Sequence, residues 1–169
     1  NETVITLKDD KYPVTVKLHY VAYGKENIIR AFSEISHEEK KPVILCKYAS
    51  SMLHLNSSKY FLTEFSGDWA HEANVTEREL AFGKKVIDTK LGARANMFVS
   101  PFFQLALDNP SQENAGEVLV GTIGWTGNFR FTFEVDNKNE LRIISGINPY
   151  DSEYSLPAKE VFRTPDFYF

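Results

Sequence analysis

The chain has 169 residues, which is the size of a single domain able to bury a core. Hydrophobic residues make up 43% of the sequence and charged residues 25%, a balance that excludes a disordered protein. The net charge is -4, with acidic and basic residues interspersed, and this argues against a nucleic-acid partner, which usually requires a basic surface. No apolar run approaches the roughly 20 residues of a membrane-spanning helix, so we expect a soluble protein without a membrane partner, in a compartment that the sequence leaves open.

Strand patterns dominate the chain from its beginning. Val14 to Tyr20 alternates apolar and polar residues, and a turn at Tyr23 to Asn27 followed by Ile28 to Ile35 predicts a hairpin. Further strands are predicted, in chain order, at Thr3–Leu7, Val43–Ala49, Tyr60–Phe65, Lys84–Leu91, Phe102–Leu107, Gly116–Trp125, Phe129–Asp136 and Leu141–Ser145. Gly67 to Gly83 breaks the pattern and is predicted to be a long loop with one helical turn at the rim of a sheet. The fold class is therefore all-β, a large antiparallel β-sandwich with few or no helices, formed by residues 1–169 as one domain.

Metal-binding and catalytic motifs are not evident. The histidines lie at His19, His37, His54 and His71. They form no HxxxH or HxH pair, so we predict structural or solvated roles for them and no metal site. Cys46, the single cysteine, follows an apolar run and is predicted to be a small buried residue. No phosphate-binding glycine loop or nucleophile elbow is present, and the carboxylate pairs Asp9-Asp10 and Glu38-Glu39 lie on charged turns typical of a solvated surface, so the sequence indicates no catalytic residue.

The segment Phe65 to Glu72 is the most suggestive for binding. Trp69 stands in a polar loop that contains Gly67, which is an unusual place for a core residue. Such a ring can stack on a sugar while Asp68 or His71 bonds a hydroxyl group. The alternative is that Trp69 folds back and covers one end of the sandwich.

The C-terminal third carries five motifs in order: Gly116-Glu117-Val118, Trp125-Thr126-Gly127-Asn128-Phe129, Glu134-Val135-Asp136, Gly146-Ile147-Asn148-Pro149-Tyr150-Asp151 and Glu160-Val161-Phe162-Arg163-Thr164-Pro165-Asp166. At this spacing the chain resembles the N-terminal β-supersandwich domain of glycoside hydrolase family 36 α-galactosidases. A weaker similarity covers Val14 to Arg30, and Gly67-Asp68-Trp69 resembles a family loop whose tryptophan projects towards the bound sugar. The segment Asn96 to Ser100 departs from the family pattern, which often has a Ser-His-Gln motif there.

The resemblance implies a function that is divided between domains. The two catalytic aspartates of the family lie in a (β/α)8 barrel, which would follow Phe169, and the enzymes retain configuration through a covalent intermediate. It also implies that this chain is trimmed at both ends, contains no catalytic residue, needs no cofactor and belongs to a homo-oligomer. We therefore expect a non-catalytic N-terminal domain of an α-galactosidase, with Trp69 and Asp68 as substrate-binding residues for an α-galactoside and the barrel as its partner. The alternative is a free-standing carbohydrate-binding β-sandwich that uses Trp69 or Trp125.

Overall fold

The computed structural model describes residues 1–169, and nearly all of its regular structure is β-strand. The strands are β1 (Glu2–Lys8), β2 (Val14–Tyr23), β3 (Ile28–His37), β4 (Val43–Leu45), β5 (Ser51–Asn56), β6 (Tyr60–Ser66), β7 (Asn74–Glu79), β8 (Gly83–Asp88), β9 (Val99–Leu107), β10 (Glu117–Ile123), β11 (Phe129–Val135), β12 (Glu140–Ile147), β13 (Tyr154–Leu156), β14 (Val161–Arg163) and β15 (Phe167–Tyr168). A 3-10 turn at Gly92–Arg94 is the one helical element. No helix has the length and apolar character needed to cross a membrane.

The strands form two main sheets in which every pairing is antiparallel. The large sheet has the order β1-β2-β3-β15-β10-β9-β6-β7, and β14 also pairs with β3. The smaller sheet has the order β5-β12-β11-β8, and β4 and β13 form a separate two-stranded ribbon. The predicted all-β class and antiparallel sandwich are therefore confirmed.

The core lies between the smaller sheet and one half of the large sheet. Along β11, Phe129, Phe131 and Phe133 are fully buried, while the residues between them reach the surface. This period of two is what a strand with one buried face requires. Aromatic rings join the two sheets: the ring of Phe103 on β9 lies 4.8 Å from that of Phe133, at an interplanar angle of 89°. Edge-to-face pairs of this kind stabilise the interface beyond the area they bury.

The sequence did not predict β5, β7 or the short strands β13 and β14. The predicted loop at Gly67 to Gly83 is wrong over Asn74–Glu79, which forms β7 and pairs with β6 along its whole length. All six residues of β7 are exposed at the edge of the sheet, so no apolar period marks the strand. β5 was also missed, and the predicted strand at Val43–Ala49 ends at Leu45.

The prediction for Cys46 is wrong as well, since this residue is exposed and its Sγ lies 3.9 Å from Oε1 of Glu153. β4 spans only three residues, and the chain leaves the ribbon just before Cys46. An apolar run of four residues therefore indicated more burial than so short an element provides.

Candidate functional site

Trp69 lies in the loop that connects β6 to β7, and backbone hydrogen bonds close this loop into a tight turn. The N–H of Asp68 donates to the carbonyl of His71 over 3.2 Å, and the N–H of His71 donates to the carbonyl of Asp68 over 3.0 Å. Ala70 adopts a left-handed conformation with φ of 59°. A Cβ atom on Gly67 would lie only 3.3 Å from Cα of Glu72, so glycine permits the close approach of the two arms.

The turn holds the indole ring of Trp69 away from the protein. Oδ1 of Asp68 accepts a hydrogen bond of 2.7 Å from the N–H of Trp69, which fixes the backbone at the base of the side chain. Trp69 is 88% exposed, more than any other large hydrophobic residue. The alternative in which Trp69 covers one end of the sandwich is therefore wrong. The arrangement presents a flat apolar surface to whatever lies beyond the loop.

The segment that departs from the family pattern borders this loop. The N–H of Gly67 donates to the carbonyl of Phe98 over 3.0 Å, and the Phe98 side chain is 39% exposed beside Met97 at 45%. Sequence reasoning named the segment but assigned no role to these two apolar side chains. The signal available was a pair of apolar residues in a stretch otherwise made of turns.

The histidines lie apart from one another. His71 is exposed in the Trp69 loop, whereas His54 is exposed on β5 of the smaller sheet. His37 is buried, and its two ring nitrogens bond the carbonyl of Leu156 at 3.0 Å and the N–H of Glu39 at 3.1 Å. No group of three or more His, Cys, Asp or Glu residues is placed to hold a metal ion.

Trp125, the second candidate platform, packs against its own loop. A Cβ atom on Gly127 would lie 2.7 Å from Nε1 of Trp125, so the ring rests on the glycine backbone. The residue is 40% exposed, less than half the value of Trp69. Neither Gly127 nor Gly124 has a positive φ, so the backbone conformation requires glycine at neither position. Gly127 permits contact with the ring instead.

The family motifs of the C-terminal third form hydrogen bonds between loops. Asn148 is fully buried, and its Nδ2 donates to the carbonyl of Thr89 over 2.9 Å. Its backbone N–H donates to the carbonyl of Asn128, whose Oδ1 in turn accepts from the N–H of Gly92 over 2.7 Å. Three loops are thus joined by hydrogen bonds of the buried Asn148 and the partly exposed Asn128, and a polar group of Asn148 left unpaired would cost about 1–3 kcal/mol.

The Thr-Pro-Asp motif performs the same structural task between β3 and β15. Oγ1 of Thr164 accepts a hydrogen bond of 2.9 Å from the buried N–H of Ser33, and the N–H of Thr164 donates to the carbonyl of Ser33. The backbone carbonyl of Asp166 accepts a hydrogen bond from the N–H of Gly124, and its carboxylate forms an ion pair with Arg163. The most recognisable residues of the chain thus stabilise loops and strand junctions.

Every carboxyl group with a shifted pKa has a pKa below its ordinary value. Hydrogen bonds to the carboxylates lower the pKa of each: the five are Asp9, Glu77, Asp108, Glu134 and Asp136. For Glu77 the largest cause is the hydroxyl group of Ser111, and for Glu134 it is the guanidinium of Arg142. A general acid needs a raised pKa, so these five groups suit structural roles.

Comparison with known proteins assigns the chain to a family. The glycosyl hydrolase family 36 N-terminal domain matches residues 1–157. An α-galactosidase of Geobacillus stearothermophilus named AgaA is 29% identical over 162 residues, which are 96% of this chain and 22% of that enzyme. Alpha-galactosidase 2 of Pediococcus pentosaceus is 29% identical over 163 residues, with the same coverage of both chains.

The solved structures agree with these sequences. The crystal structure of Geobacillus stearothermophilus AgaA superposes with a TM-score of 0.91 at 28% identity, covering 99% of this chain and 23% of the enzyme. Variants of that enzyme have been crystallised in complex with raffinose and with stachyose. The chain therefore spans about a fifth of the length of the relatives it matches. Together with the matched residues 1–157, this agreement in fold shows that the chain belongs to the N-terminal domain family of glycosyl hydrolase family 36.

Proposed function

We propose that this chain is the non-catalytic N-terminal domain of a longer retaining α-galactosidase and that it contributes Trp69 to the sugar site. The chain corresponds to the N-terminal domain of the family, and its relatives are named α-galactosidases. The complexes of AgaA variants with raffinose and stachyose support terminal α-galactosides as the substrate class. Catalytic carboxylates would then reside in a (β/α)8 barrel that follows Phe169.

The exposure of Trp69 is the observation that carries the proposed contact with substrate. An indole ring that is 88% exposed on a turn fixed by hydrogen bonds offers a flat apolar face, and another surface that covers it gains about 25 cal/mol for each Å² of apolar surface buried. Asp68 has one carboxylate oxygen engaged with the N–H of Trp69, so its second oxygen is available to a sugar hydroxyl. We propose that the barrel and the bound galactoside complete the site around this ring.

The test compares Trp69→Ala with Phe82→Ala in the full-length protein, using an aryl α-galactoside as substrate. Phe82 is a matched control because it is an exposed aromatic residue, at 78%, in the turn beyond the opposite end of β7. Loss of an aromatic contact worth about 1 kcal/mol should raise KM about fivefold for Trp69→Ala. Phe82→Ala should leave KM unchanged, and both variants should keep the parent melting temperature.

A purely structural domain would give a different result, because Trp69→Ala would then leave KM at the parent value. A full-length protein without activity on α-galactosides would overturn the proposed function itself. The competing carbohydrate-binding module predicts that the 169-residue chain alone binds galactosides, with a change in tryptophan fluorescence. A domain that supplies only part of a site predicts no such response.

We also propose that the domain takes part in oligomer contacts of the parent enzyme. The support comes from β1, an edge strand whose seven residues are all exposed and include Val4, Ile5 and Leu7. An unpaired edge with exposed apolar side chains favours association with another chain.

A further inference from the structure

The large sheet contains a notch beside β15. This strand is two residues long, yet it lies between β3 with ten residues and β10 with seven. β15 pairs with β10 only at Thr122 and Ile123, so the first part of β10 has no neighbour on that side. An interior strand of the sheet therefore behaves over half its length as an edge strand.

Backbone groups of β10 point into the notch. The N–H of Gly124 donates to the carbonyl of Asp166 over 2.8 Å, on the side of β10 that faces β15. Because these groups alternate between the two sides of an antiparallel strand, the N–H and C=O groups of Val118 and Val120 face the notch as well. Those of Leu119 and Gly121 face β9, with which they are in register. The notch thus offers two donors and two acceptors that a further strand would satisfy.

The side chains around the notch are mostly apolar. The cavity has a volume of about 710 Å³, and nine of its twelve lining residues are hydrophobic. Val118 is 39% exposed, Val120 51%, Ile28 40% and Tyr23 38%. Water in contact with these groups is displaced favourably when an extended apolar segment enters, at about 25 cal/mol for each Å² of apolar surface buried.

The register of β15 leads directly into this space. Phe169 forms two backbone hydrogen bonds with Ile29, of 2.7 and 2.9 Å, which extend the pairing of β15 with β3. Tyr168 lies opposite Thr122 on one side and Arg30 on the other. A residue joined to Phe169 in the same strand direction would therefore lie opposite Val120 and Ile28.

We propose that the notch receives an extended segment joined to Phe169, which continues β15 by three or four residues between the β2–β3 hairpin and β10. The inference rests on the proposed function, since it requires that the chain is part of a longer protein. The segment bonds Val120 and Val118 along its backbone and places apolar side chains against the lining of the notch. It converts the two halves of the large sheet into one continuous sheet and ties the domain to whatever follows.

The test is residue-resolved amide hydrogen exchange in the full-length protein. The amides of Val118 and Val120 should be protected to the same degree as those of Leu119 and Gly121, which donate towards β9 and serve as internal controls. In the 169-residue chain, Val118 and Val120 should exchange at least about tenfold faster than in the full-length protein, while the controls stay protected. Proline in place of the first residue after Phe169 removes the N–H that donates to the carbonyl of Val120, and its ring disrupts the strand pairing at this point, so the amide of Val120 should again exchange fast.

Three results would overturn the inference: fast exchange of Val118 and Val120 in the full-length protein, protection that does not respond to the proline, or a gene that encodes nothing after Phe169. The outcome is separate from that of the activity measurement. A full-length protein with protected amides and no α-galactosidase activity refutes the proposed function and leaves the strand intact. An active enzyme with unprotected amides does the reverse.

Discussion

Gly121 is the residue at which side-chain packing leaves least room. A Cβ atom there would lie 2.5 Å from Cε1 of Phe103 and 2.9 Å from Cζ of Phe167, and both rings are fully buried. The glycine belongs to β10, where its inward position faces the aromatic core. Its role is therefore to admit two phenyl rings, and the backbone freedom of glycine is not needed.

Replacing Gly121 with alanine should destabilise the domain by about 1–3 kcal/mol, because the buried rings must shift to accept the methyl group. Gly24→Ala is the control, since no atom lies within 4 Å of the added Cβ in the β2–β3 turn. Urea unfolding midpoints of the two variants measure the difference. Equal midpoints would show that the core around Phe103 adapts without cost.

Single residues differed in how well the sequence revealed their surroundings. Trp69 was recognised because a tryptophan among polar residues and glycine does not fit a strand, and the structure places it in an exposed turn. Whether it and Asp68 bind a sugar stays a prediction. Cys46 was misjudged because local hydrophobicity says nothing about the length of β4 or the position of the ribbon.

The hairpin of β11 and β12 shows how one carboxylate fixes a turn. The N–H groups of Glu140 and Lys138 donate to Oδ1 of Asp136, and these bonds hold the pKa of its carboxyl group below the ordinary value of 3.8. Asn139 completes the turn with a left-handed φ of 63°. The Asn-Lys-Asn sequence suits this turn, because asparagine tolerates the left-handed conformation.

Asp136→Asn should therefore lower stability in a pH-dependent way. A carboxyl group whose pKa is lower in the folded state stabilises that state above its unfolded pKa, and the contribution is lost as the pH falls through the folded value. The deficit of the variant should be full at pH 7 and should shrink below about pH 4, the ordinary range of aspartate. Asp10→Asn, at an exposed carboxylate without a hydrogen bond, is the control. A deficit that stays constant in urea unfolding between pH 7 and about pH 3 would contradict this account.

At the level of elements, strands with a period of two were predictable, and the exposed edge strand β7 was not. The sequence indicates the buried faces of β11 and β12, because alternate residues along β11 and along most of β12 pack inward. β7 is exposed throughout and exists because β6 offers it a hydrogen-bonding partner. The pairing with β6 leaves no mark in the residues of β7 themselves, because none of them is buried.

One part of the large sheet packs against the core, and the part formed by β1 and β2 does not. The smaller sheet covers β6, β9, β10 and β15, which supply Leu62, Phe103, Ile123 and Phe167 to the shared core. No residue of β1 or β2 belongs to that core, and β1 is exposed along its whole length. Fewer buried contacts mean a lower free energy of local opening.

Native-state hydrogen exchange should consequently show β1 and β2 opening before the rest of the domain. Amides of the β1–β2 pairing should exchange by a local route at low denaturant, while those of β11 exchange only through global unfolding. Exchange of both groups at the same free energy would indicate a single cooperative unit. The measurement uses wild-type protein, so no variant needs to fold.

The whole fold was predictable as a class and as a family, and its strand order was not. Alternation and turns established the β-sandwich, and motifs such as Gly146 to Asp151 established the relatives, which the comparison confirmed. The placement of β15 between β3 and β10 follows from contacts between segments far apart in the chain. No local pattern specifies such a neighbour.

That placement determines when the domain can be completed during synthesis. Phe167 pairs with Ala31, which leaves the ribosome 136 residues earlier (167 − 31), or on the order of ten seconds before its partner. Throughout this interval the three strands β1, β2 and β3 expose the edge of β3 with which β15 will pair. Nascent chains on one messenger are therefore exposed to pairing with each other at β3, and slower translation lengthens that risk.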